Sequence, residues 1–249
     1  MKIRAFRADF KDVEGMRDLY RTKAACQIVR DSALIRGRAD SYLIEIDGKI
    51  GGYGGIWNEY YPNRIMEFFS LPETRTTASQ MFRALITAGE ATQIEAQTNI
   101  DELYSMLRKF TASFSESAFL FADRIKTNLP CPRGHFRSAA TIDAKSIFVH
   151  QHEPVGDWLV EIDGIVAGTA GVYYHYNPPY GDVYMEVADQ FRRQGFGSYL
   201  VQEMKRICYR SGKIPAARCN PDNAASRATL EKAGFAICGS LVVGDIIIA

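Results

Sequence analysis

Alternating apolar and polar positions predict one β-hairpin in each half of the chain. The runs YLIEI at residues 42–46 and WLVEI at residues 158–162 are rich in β-branched and aromatic side chains, which favour strands. Asp-Gly follows each run, at 47–48 and at 163–164, and favours a type I′ turn because both of its positions take positive φ. A second strand should follow each turn, over about residues 50–60 in the first hairpin, where four glycines indicate a bulge or a close backbone approach.

Apolar residues at helical spacing predict helices that alternate with further strands. We expect one or two helices in residues 10–35 and single helices over 77–89, 100–110, 197–209 and 221–233. Asn220 is predicted to cap the last of these and Gly234 to end it. Further strands are predicted over 3–6, 183–187 and 216–219, with two more between 235 and 248. Residues 123–156 show no clear period and are interpreted as a connection, and the order of elements is typical of an α/β protein.

The two hairpins belong to an internal repeat. The 21-residue stretches that begin at Tyr42 and Trp158 are identical at nine positions without a gap. After a slip of three residues, Met66-Glu67 matches Met185-Glu186. A shared turn alone would not also match the flanking residues, so we interpret the repeat as a duplication. It predicts two related domains, residues 1–125 and residues 126–249.

Composition and charge exclude several classes of protein. With 47% hydrophobic residues and a net charge of +1, the chain has too much apolar surface to be disordered and no broad positive field for nucleic acid. No stretch approaches the roughly 20 apolar residues that span a bilayer, and no signal peptide is evident, so a cytoplasmic protein is expected. Five cysteines at irregular spacing predict reduced thiols rather than disulfides. His150-x-His152 and the Cys131–His135 pair lack zinc-site spacing, so no metal is predicted.

The stretch most informative about chemistry is residues 187–198 (VADQFRRQGFGS), where a strand, a basic turn with two glycines and a helix follow one another. Glycines let the backbone approach a ligand closely, and the first N–H groups of a helix lack internal partners at the positive end of its dipole. This combination suits a pyrophosphate. The spacing is neither that of a P-loop nor that of a dinucleotide fingerprint. The motif alone leaves open which phosphate binds, or whether the turn is merely solvated.

Two motifs resemble the GNAT acyltransferase superfamily. Residues 192–197 (RRQGFG) match its Q/R-x-x-G-x-G/A signature, and residues 223–235 (NAASRATLEKAGF) match its second landmark, an Asn followed by a helix that ends in Glu-Lys-x-Gly-Phe. The resemblance covers about the last 95 residues. It implies two GNAT-like domains of α/β class (an α+β mixed sheet), with mixed, mostly antiparallel sheets flanked by helices.

The resemblance also implies acyl-CoA binding, usually acetyl-CoA. In the family, the strand that ends near Val187 splays from its neighbour and pairs with pantetheine in the gap. The residues implied to contact pantetheine and the thioester through their backbone are Val187, Ala188 and Asp189. Those implied to surround the pyrophosphate are Arg192, Arg193, Gln194, Gly195, Phe196, Gly197 and Ser198. Asn223 and Ser226 would lie near the pantetheine and thiol.

The first copy departs from the signature. Counted from the matched glutamates, Glu73, Thr76 and Ala78 correspond to Arg192, Gly195 and Gly197. A carboxylate and a β-branched residue both oppose pyrophosphate binding. We therefore predict that the first copy is degenerate and that only the second binds CoA.

The resemblance implies direct attack of a bound amine on the thioester in a ternary complex. Glu186 and His175 are the candidate bases, although a structural role for each stays open. The family's proton-donating Tyr is replaced by Leu230, so Ser226 is the candidate acid, with Tyr209 or water as alternatives.

The predicted function is an N-acetyltransferase for a primary amine of a small molecule or peptide. The alternatives are a non-catalytic acyl-CoA-binding regulatory module and a generic nucleotide-binding protein. No nucleic-acid or membrane partner is expected, and pairing of two chains into a homodimer stays open.

Overall fold

The computed structural model describes residues 1–22, 31–131, 133–139, 157–174 and 178–247, which form two compact units. Unit 1 holds described residues 1–22, 31–119 and 239–247, and unit 2 holds the described residues between 120 and 238. Each unit contains a mixed sheet flanked by helices, as predicted. The domain limits predicted from the repeat, 1–125 and 126–249, stay a prediction.

Unit 1 is built on strands that follow one another as β1-β2-β3-β4-β5-β12 in its sheet. Only β4 and β5 are parallel, and the other pairs are antiparallel. Helices α3 and α4 bury apolar side chains such as Phe82 and Leu107 against one side of the sheet. Val13 and Tyr20 of α1 pack with Tyr53 and Phe69. The elements are β1 (Ile3–Ala8), α1 (Phe10–Thr22), α2 (Asp31–Ile35), β2 (Ala39–Ile46), β3 (Lys49–Trp57), β4 (Arg64–Ser70), a 3-10 helix (Pro72–Thr77), α3 (Ala78–Ala88), β5 (Gln93–Gln97) and α4 (Asp101–Phe110).

Two long strands contribute to both units. They are β6 (Ser115–Asp123), which starts in unit 1 and ends in unit 2, and β12 (Phe235–Asp245), which starts in unit 2 and ends in unit 1. In unit 1 the last residues of β12, Leu241 to Asp245, pair antiparallel with β5.

Unit 2 has the strand order β11-β10-β9-β8-β7, in which only β10 and β11 are parallel. Helix α5 packs on β9 and β10 through its buried face, which includes Leu200, Val201 and Met204. The elements are β7 (His135–Ser138), β8 (Trp158–Ile162), β9 (Ile165–Tyr173), β10 (Tyr180–Val187), a 3-10 helix (Asp189–Phe191), α5 (Phe196–Arg210), β11 (Ile214–Cys219) and α6 (Ala224–Lys232).

The two predicted hairpins are confirmed and share their geometry. Asp47 and Asp163 take φ of 47° and 49°, and each is followed by a glycine of positive φ, as a type I′ turn requires. Both hairpins carry a bulge at the same place, after Ile44 in β2 and after Val160 in β8. The offset of 116 residues therefore holds for the backbone pairing as well as for the sequence.

The third strands follow a different register from the one that the sequence match predicted. Gly55 pairs with Glu67 in unit 1, whereas its counterpart Gly171 pairs with Tyr184 in unit 2. The match of Met66-Glu67 to Met185-Glu186 was therefore wrong, and Glu67 corresponds to Tyr184. The same register makes Phe69 the counterpart of Glu186. Two identical residues are too few to determine which residues of neighbouring strands pair. A slip of two residues also leaves every side chain on the same face of the sheet, so the hydrophobic pattern does not reveal it.

Several element boundaries also differ from the prediction. Helix α6 begins after Asn223 rather than Asn220, because the Asn223 side chain accepts a hydrogen bond from the Ser226 N–H at 2.9 Å. Asn220 instead accepts from the Asp222 N–H at 2.8 Å and forms a local turn. The predicted pair of strands at the chain end is the single strand β12.

The sequence analysis predicted none of the strands β4, β5, β6 and β7, and β7 lies inside the segment interpreted as a connection. Strand β5 (QIEAQ) is mostly buried although three of its five residues are polar, so its composition does not indicate a strand. Strand β7 is only four residues long, which is too short to show a period. Among the described residues, no helix is long and apolar enough to cross a membrane.

Candidate functional site

In unit 2 a groove opens where β10 leaves β11. The two strands pair only at Tyr180–Asp182 with Ile214–Ala216, so among the described residues the second half of β10 does not pair with β11. This is the splay that the resemblance implied. A cavity of about 710 Å³ lies at the end of β10, between the start of α5 and helix α6.

Ten of the predicted site residues line this cavity together. They are Glu186, Val187, Arg192, Arg193, Gly195, Phe196, Gly197, Ser198, Asn223 and Ser226. The fold thus brings the strand end, the glycine motif and the second landmark to one place, although the landmarks are separated in sequence.

Three predicted residues do not line the cavity. The N–H of Ala188 donates to the carbonyl of Ala167 at 3.0 Å, and the Gln194 amide donates to the carbonyl of Gln190 at 3.0 Å. Asp189 pairs with Arg192 at 2.7 Å. His175 lies outside the described residues.

The turn into α5 contains two residues in the left-handed region. Arg193 has φ of 60° and Gly195, the N-cap of α5, has φ of 93°. A non-glycine residue in this region costs roughly 1–2 kcal/mol, and such strain concentrates at functional sites. Within the part of the chain that the structure describes, no side chain caps the start of α5. Its first N–H groups are therefore left for an anion, where the helix dipole also places positive potential.

Gly197 keeps the start of α5 close to α6. A Cβ built on Gly197 would lie 3.1 Å from the Thr229 Cγ2 and 3.5 Å from the Met185 sulfur. Any larger side chain here would push against α6 and enter the groove. The glycines thus leave backbone exposed to a ligand, as a diphosphate site requires.

Three cations border the groove, namely Arg192, Arg193 and Lys232. Arg192 is 62% exposed and also donates from Nε to the Val187 carbonyl at 3.3 Å. Its ion pair with Asp189, which is 84% exposed, is worth at most about 1 kcal/mol, so a phosphate could replace Asp189 as the partner. Sequence reasoning missed Lys232, which lies in the last turn of α6 within the second landmark.

The candidate base Glu186 accepts a hydrogen bond from the Tyr184 hydroxyl, with 2.8 Å between the two oxygens. Burial and this hydrogen bond raise the pKa of the Tyr184 phenol, so it stays protonated and keeps donating. Glu186 is only half-buried, which leaves its carboxylate accessible from the groove.

The candidate acids differ in their position. Ser226 lines the groove on α6. Burial raises the pKa of the nearby Cys219 thiol, and Ser226 opposes that rise. Leu230 is buried in the core. Tyr209 lies in the last turn of α5, where its hydroxyl donates to Asp123, and it does not line the cavity.

Strands β4 and β5 of unit 1 separate at the equivalent place, but the Glu102 side chain of unit 1 occupies the gap. In the described part of unit 1, strands β4 and β5 pair only at Arg64–Ile65 with Gln93–Ile94. Beyond this point the Glu102 carboxylate on α4 accepts a hydrogen bond from the N–H of Ser70 at 2.6 Å. By the sheet register, Ser70 corresponds to Val187, so an internal carboxylate satisfies the strand end that the open groove exposes in unit 2.

The helix start in unit 1 lacks the left-handed cap. The N-cap of α3 is Thr77, with φ of −103°, whereas the N-cap of α5 is Gly195, with φ of 93°. Aligning the two helix starts pairs Thr77 with Gly195, Ser79 with Gly197 and Thr74 with Arg192, which corrects the predicted counterparts Thr76, Ala78 and Glu73. A β-branched residue still replaces the first glycine, so this reason for degeneracy is retained. The other reason, a carboxylate in place of the arginine, is wrong, because Thr74 and not Glu73 is the counterpart of Arg192.

One family model matches a part of the chain that lies almost wholly in unit 2. Residues 122–235 match the family model described as the Acetyltransferase (GNAT) family. No curated protein sequence matches the chain.

The fold of the whole chain is similar to that of solved GNAT structures. An acetyltransferase from the GNAT family of Colwellia psychrerythraea is 14% identical with a TM-score of 0.81, over 99% of this chain and 100% of that chain. A tandem GNAT protein from the clavulanic acid biosynthesis pathway is 12% identical with a TM-score of 0.63, over 100% of both chains. A GCN5-related N-acetyltransferase from Sphaerobacter thermophilus is 13% identical with a TM-score of 0.58, over 99% of this chain and 96% of that chain. At these identities the likeness is one of fold, and it includes a tandem arrangement.

Proposed function

We propose that unit 2, in which residues 122–235 match the Acetyltransferase (GNAT) family model, transfers the acetyl group of acetyl-CoA to a primary amine. The observation that carries the proposal is the groove in which the uncapped start of α5 faces the unpaired half of β10. Such a groove offers amides for a diphosphate at one end and a strand edge for a pantetheine arm along its length. We propose that the catalytic domain is the predicted second domain, residues 126–249.

The chain's own residues suit this donor. The backbone of residues 193–198 would hold the diphosphate, with Arg192, Arg193 and Lys232 as its counter-charges. The backbone of Val187 would pair with the pantetheine arm, whereas the backbone groups of Ala188 and Asp189 are engaged within the chain and would not. Asn223 would contribute mainly by fixing the start of α6, because its side chain caps that helix.

Bound acetyl-CoA would supply an activated acetyl group. Glu186 would accept a proton from the ammonium form of the acceptor, since only the neutral amine is a nucleophile. The amine nitrogen then forms the C–N bond as the C–S bond breaks. The nitrogen releases one further proton to water, and the departing sulfur takes up one proton. Ser226 lies in the groove to donate that proton, and His175 stays a second candidate for the base.

Unit 1 would not bind the donor. The Glu102 carboxylate at Ser70, together with the ordinary φ of Thr77, leaves neither the strand edge nor the helix start in the form found in unit 2. We therefore propose one cofactor site per chain, in the second copy.

Calorimetric titration with acetyl-CoA tests the binding step, with ATP as the control ligand. We expect one site per chain and much weaker binding of ATP. A stoichiometry of two would remove the proposed degeneracy of unit 1, and the absence of binding at millimolar acetyl-CoA would overturn the whole proposal. Thiol release from acetyl-CoA over a panel of primary amines tests the transfer. Binding without release for any amine would favour the non-catalytic acyl-CoA-binding module.

A further inference from the structure

The backbone groups of Val187 point into the gap between β10 and β11. In an antiparallel pair, residues alternate between those that bond the partner strand and those whose N–H and carbonyl point away from it. The N–H of Ala188 donates to the Ala167 carbonyl of β9 at 3.0 Å, so Val187, one residue earlier, turns its own groups away from β9. In the described part of the chain β10 pairs with β11 only up to Asp182, so these groups lie at an open strand edge.

The Arg192 side chain covers the carbonyl at this open edge. Its Nε donates to the Val187 carbonyl oxygen at 3.3 Å, and its Nη2 pairs with an Asp189 carboxylate oxygen at 2.7 Å. Arg192 and Val187 both line the cavity, whereas Asp189 does not. The guanidinium therefore takes the place of a hydrogen-bond donor that a ligand in the groove would offer to the strand.

Neither contact holds Arg192 firmly. The side chains of Arg192 and Asp189 are 62% and 84% exposed, so water screens their ion pair. The bond to the Val187 carbonyl, at 3.3 Å, is longer than the usual range of about 2.7–3.2 Å. A phosphate group accepts two parallel N–H bonds from one guanidinium, and such charge-assisted bonds are stronger than bonds to a neutral carbonyl. Both present contacts are therefore replaceable by a phosphate.

The counterpart of Arg192 in unit 1 is short and fixed. Thr74, which the alignment of the helix starts pairs with Arg192, is half-buried. Its hydroxyl contacts the carbonyls of Gly51 and Leu71 at 2.7 and 3.0 Å and so fastens the turn to the hairpin. The long, exposed and replaceable side chain thus belongs to the copy with the open groove.

We propose that Arg192 couples the two ends of the donor site. In the free protein its guanidinium covers the Val187 carbonyl. It moves to a diphosphate bound at the start of α5, and the carbonyl then becomes available to an amide N–H of the pantetheine arm. Asp189 is the counter-ion that holds Arg192 over the carbonyl. The inference rests on the proposed donor site and adds that binding at one half favours binding at the other.

Two fragments of the donor, pantetheine and inorganic diphosphate, measure this coupling on the full chain. We expect saturating diphosphate to lower the Kd of pantetheine at least threefold, because the uncovered carbonyl gains a hydrogen bond. Pantetheine should lower the Kd of diphosphate by the same factor, since coupling free energies are reciprocal. Ligand-observed NMR gives the first Kd and calorimetry the second.

Two arginine substitutions separate the coupling from simple charge. Arg192→Met and Arg193→Met each remove one cation from the cavity lining, but among the described residues only Arg192 contacts the Val187 carbonyl. Both variants should bind diphosphate more weakly. Only Arg192→Met should lower the Kd of pantetheine in the absence of diphosphate, at least threefold, and abolish the coupling. A purely structural arginine would raise both Kd values, and a purely electrostatic one would leave the Kd of pantetheine unchanged.

Asp189→Asn tests the counter-ion. We expect the Kd of diphosphate to fall about threefold at low salt and by less at high salt, because the competing carboxylate acts through an exposed ion pair. Glu231→Gln is the matched control, since it removes the same charge from the exposed pair with Arg227 on α6, and neither residue lines the cavity. The control should keep the wild-type Kd. An equal fall in both variants would overturn the role of Asp189.

Failure of the coupling and failure of the donor site give different results. If CoA binds but diphosphate leaves the Kd of pantetheine unchanged, the coupling is overturned and the donor site stands. The same conclusion follows if Arg192→Met does not lower that Kd, or if pantetheine does not bind even with diphosphate present. If neither CoA nor diphosphate binds, the proposed donor site itself is overturned.

Discussion

Replacing Gly195 by alanine should show how much this left-handed residue at the start of α5 contributes to stability and how much to cofactor binding. Gly195 has φ of 93°, and a Cβ in that region costs about 1–2 kcal/mol. The unfolded chain of the alanine variant is less flexible than that of the wild type, and this offsets about 0.4–1 kcal/mol of the loss in stability. The net loss should be about 1 kcal/mol, which for a chain of this size lowers Tm by about 2–4 °C.

The same substitution should weaken cofactor binding. Relief of the strain by rotation to negative φ turns the first amides of α5 away from the groove. Losing one charge-assisted hydrogen bond to a phosphate costs about 1.4 kcal/mol or more, which corresponds to at least a tenfold higher Kd for CoA. Calorimetry of CoA binding and a thermal melt of the same preparation give both quantities.

Gly212 provides the matched control. It follows the last turn of α5 with φ of 65°, and a Cβ there would meet no atom within 4 Å. Gly212→Ala should therefore lose comparable stability and keep the wild-type Kd. Equal loss of stability in both variants with unchanged CoA affinity in both would refute the assignment of the diphosphate to the start of α5.

Three further predictions concern residues away from the groove. Val242→Ala removes two buried methyl groups from the core of unit 1 and should lower the free energy of unfolding in urea by about 2 kcal/mol. A fragment that ends at residue 125 lacks strand β12 and should show no cooperative unfolding transition. Lys205→Met should cost about 3 kcal/mol, because the buried Lys205 ammonium pairs with Asp123 at 2.7 Å and donates to the carbonyls of Ile125 and Ala233, and an unaltered Tm would contradict this. Burial raises the pKa of the Cys208 thiol to about 12, so iodoacetamide at pH 8 should leave Cys208 unmodified in peptide maps of the folded protein. Since the unfolded thiol ionises near pH 8.5 and the folded one does not, the contribution of Cys208 to stability should be lost as the pH rises from about 9 to 12.

Features that depend on neighbouring residues were predictable from the sequence. The Asp-Gly turns, the amphipathic α5 and the glycine motif each rest on conformational preferences that act over a few residues. The groove was predictable only in part, because Lys232 is distant in sequence from the glycines and no local preference places it there. Asn220 and Asn223 are equally good caps by residue type, and only the hydrogen bond to the Ser226 N–H decides between them.

The repeat also contains a residue exchange in the second strand of the hairpins, at Thr169 of β9. The ungapped alignment pairs it with Tyr53, which is an exchange of a large aromatic for a small hydroxyl within two closely similar hairpins. What the alignment could not show is that Tyr53 donates to a buried carboxylate. That contact depends on the register of the third strand, which the dipeptide match set two residues out of place.

The register of the third strands explains how one duplicated fold gives a closed copy and an open one. In unit 1 the carboxylate stands at position 67, where Arg17 and Tyr53 enclose it, while Phe69 and Glu102 occupy the strand end. In unit 2 the carboxylate stands two residues further along, at Glu186, and Tyr184 takes the place of Glu67. The shift moves the charge from the interior of the sheet to the point where β10 separates from β11 and the groove begins. A buried ion pair offsets its desolvation only through close hydrogen-bonded partners, and in unit 1 Arg17 and Tyr53 provide these for Glu67. A half-buried carboxylate beside an open groove keeps part of its hydration instead, and this suits a group that must exchange a proton with a ligand.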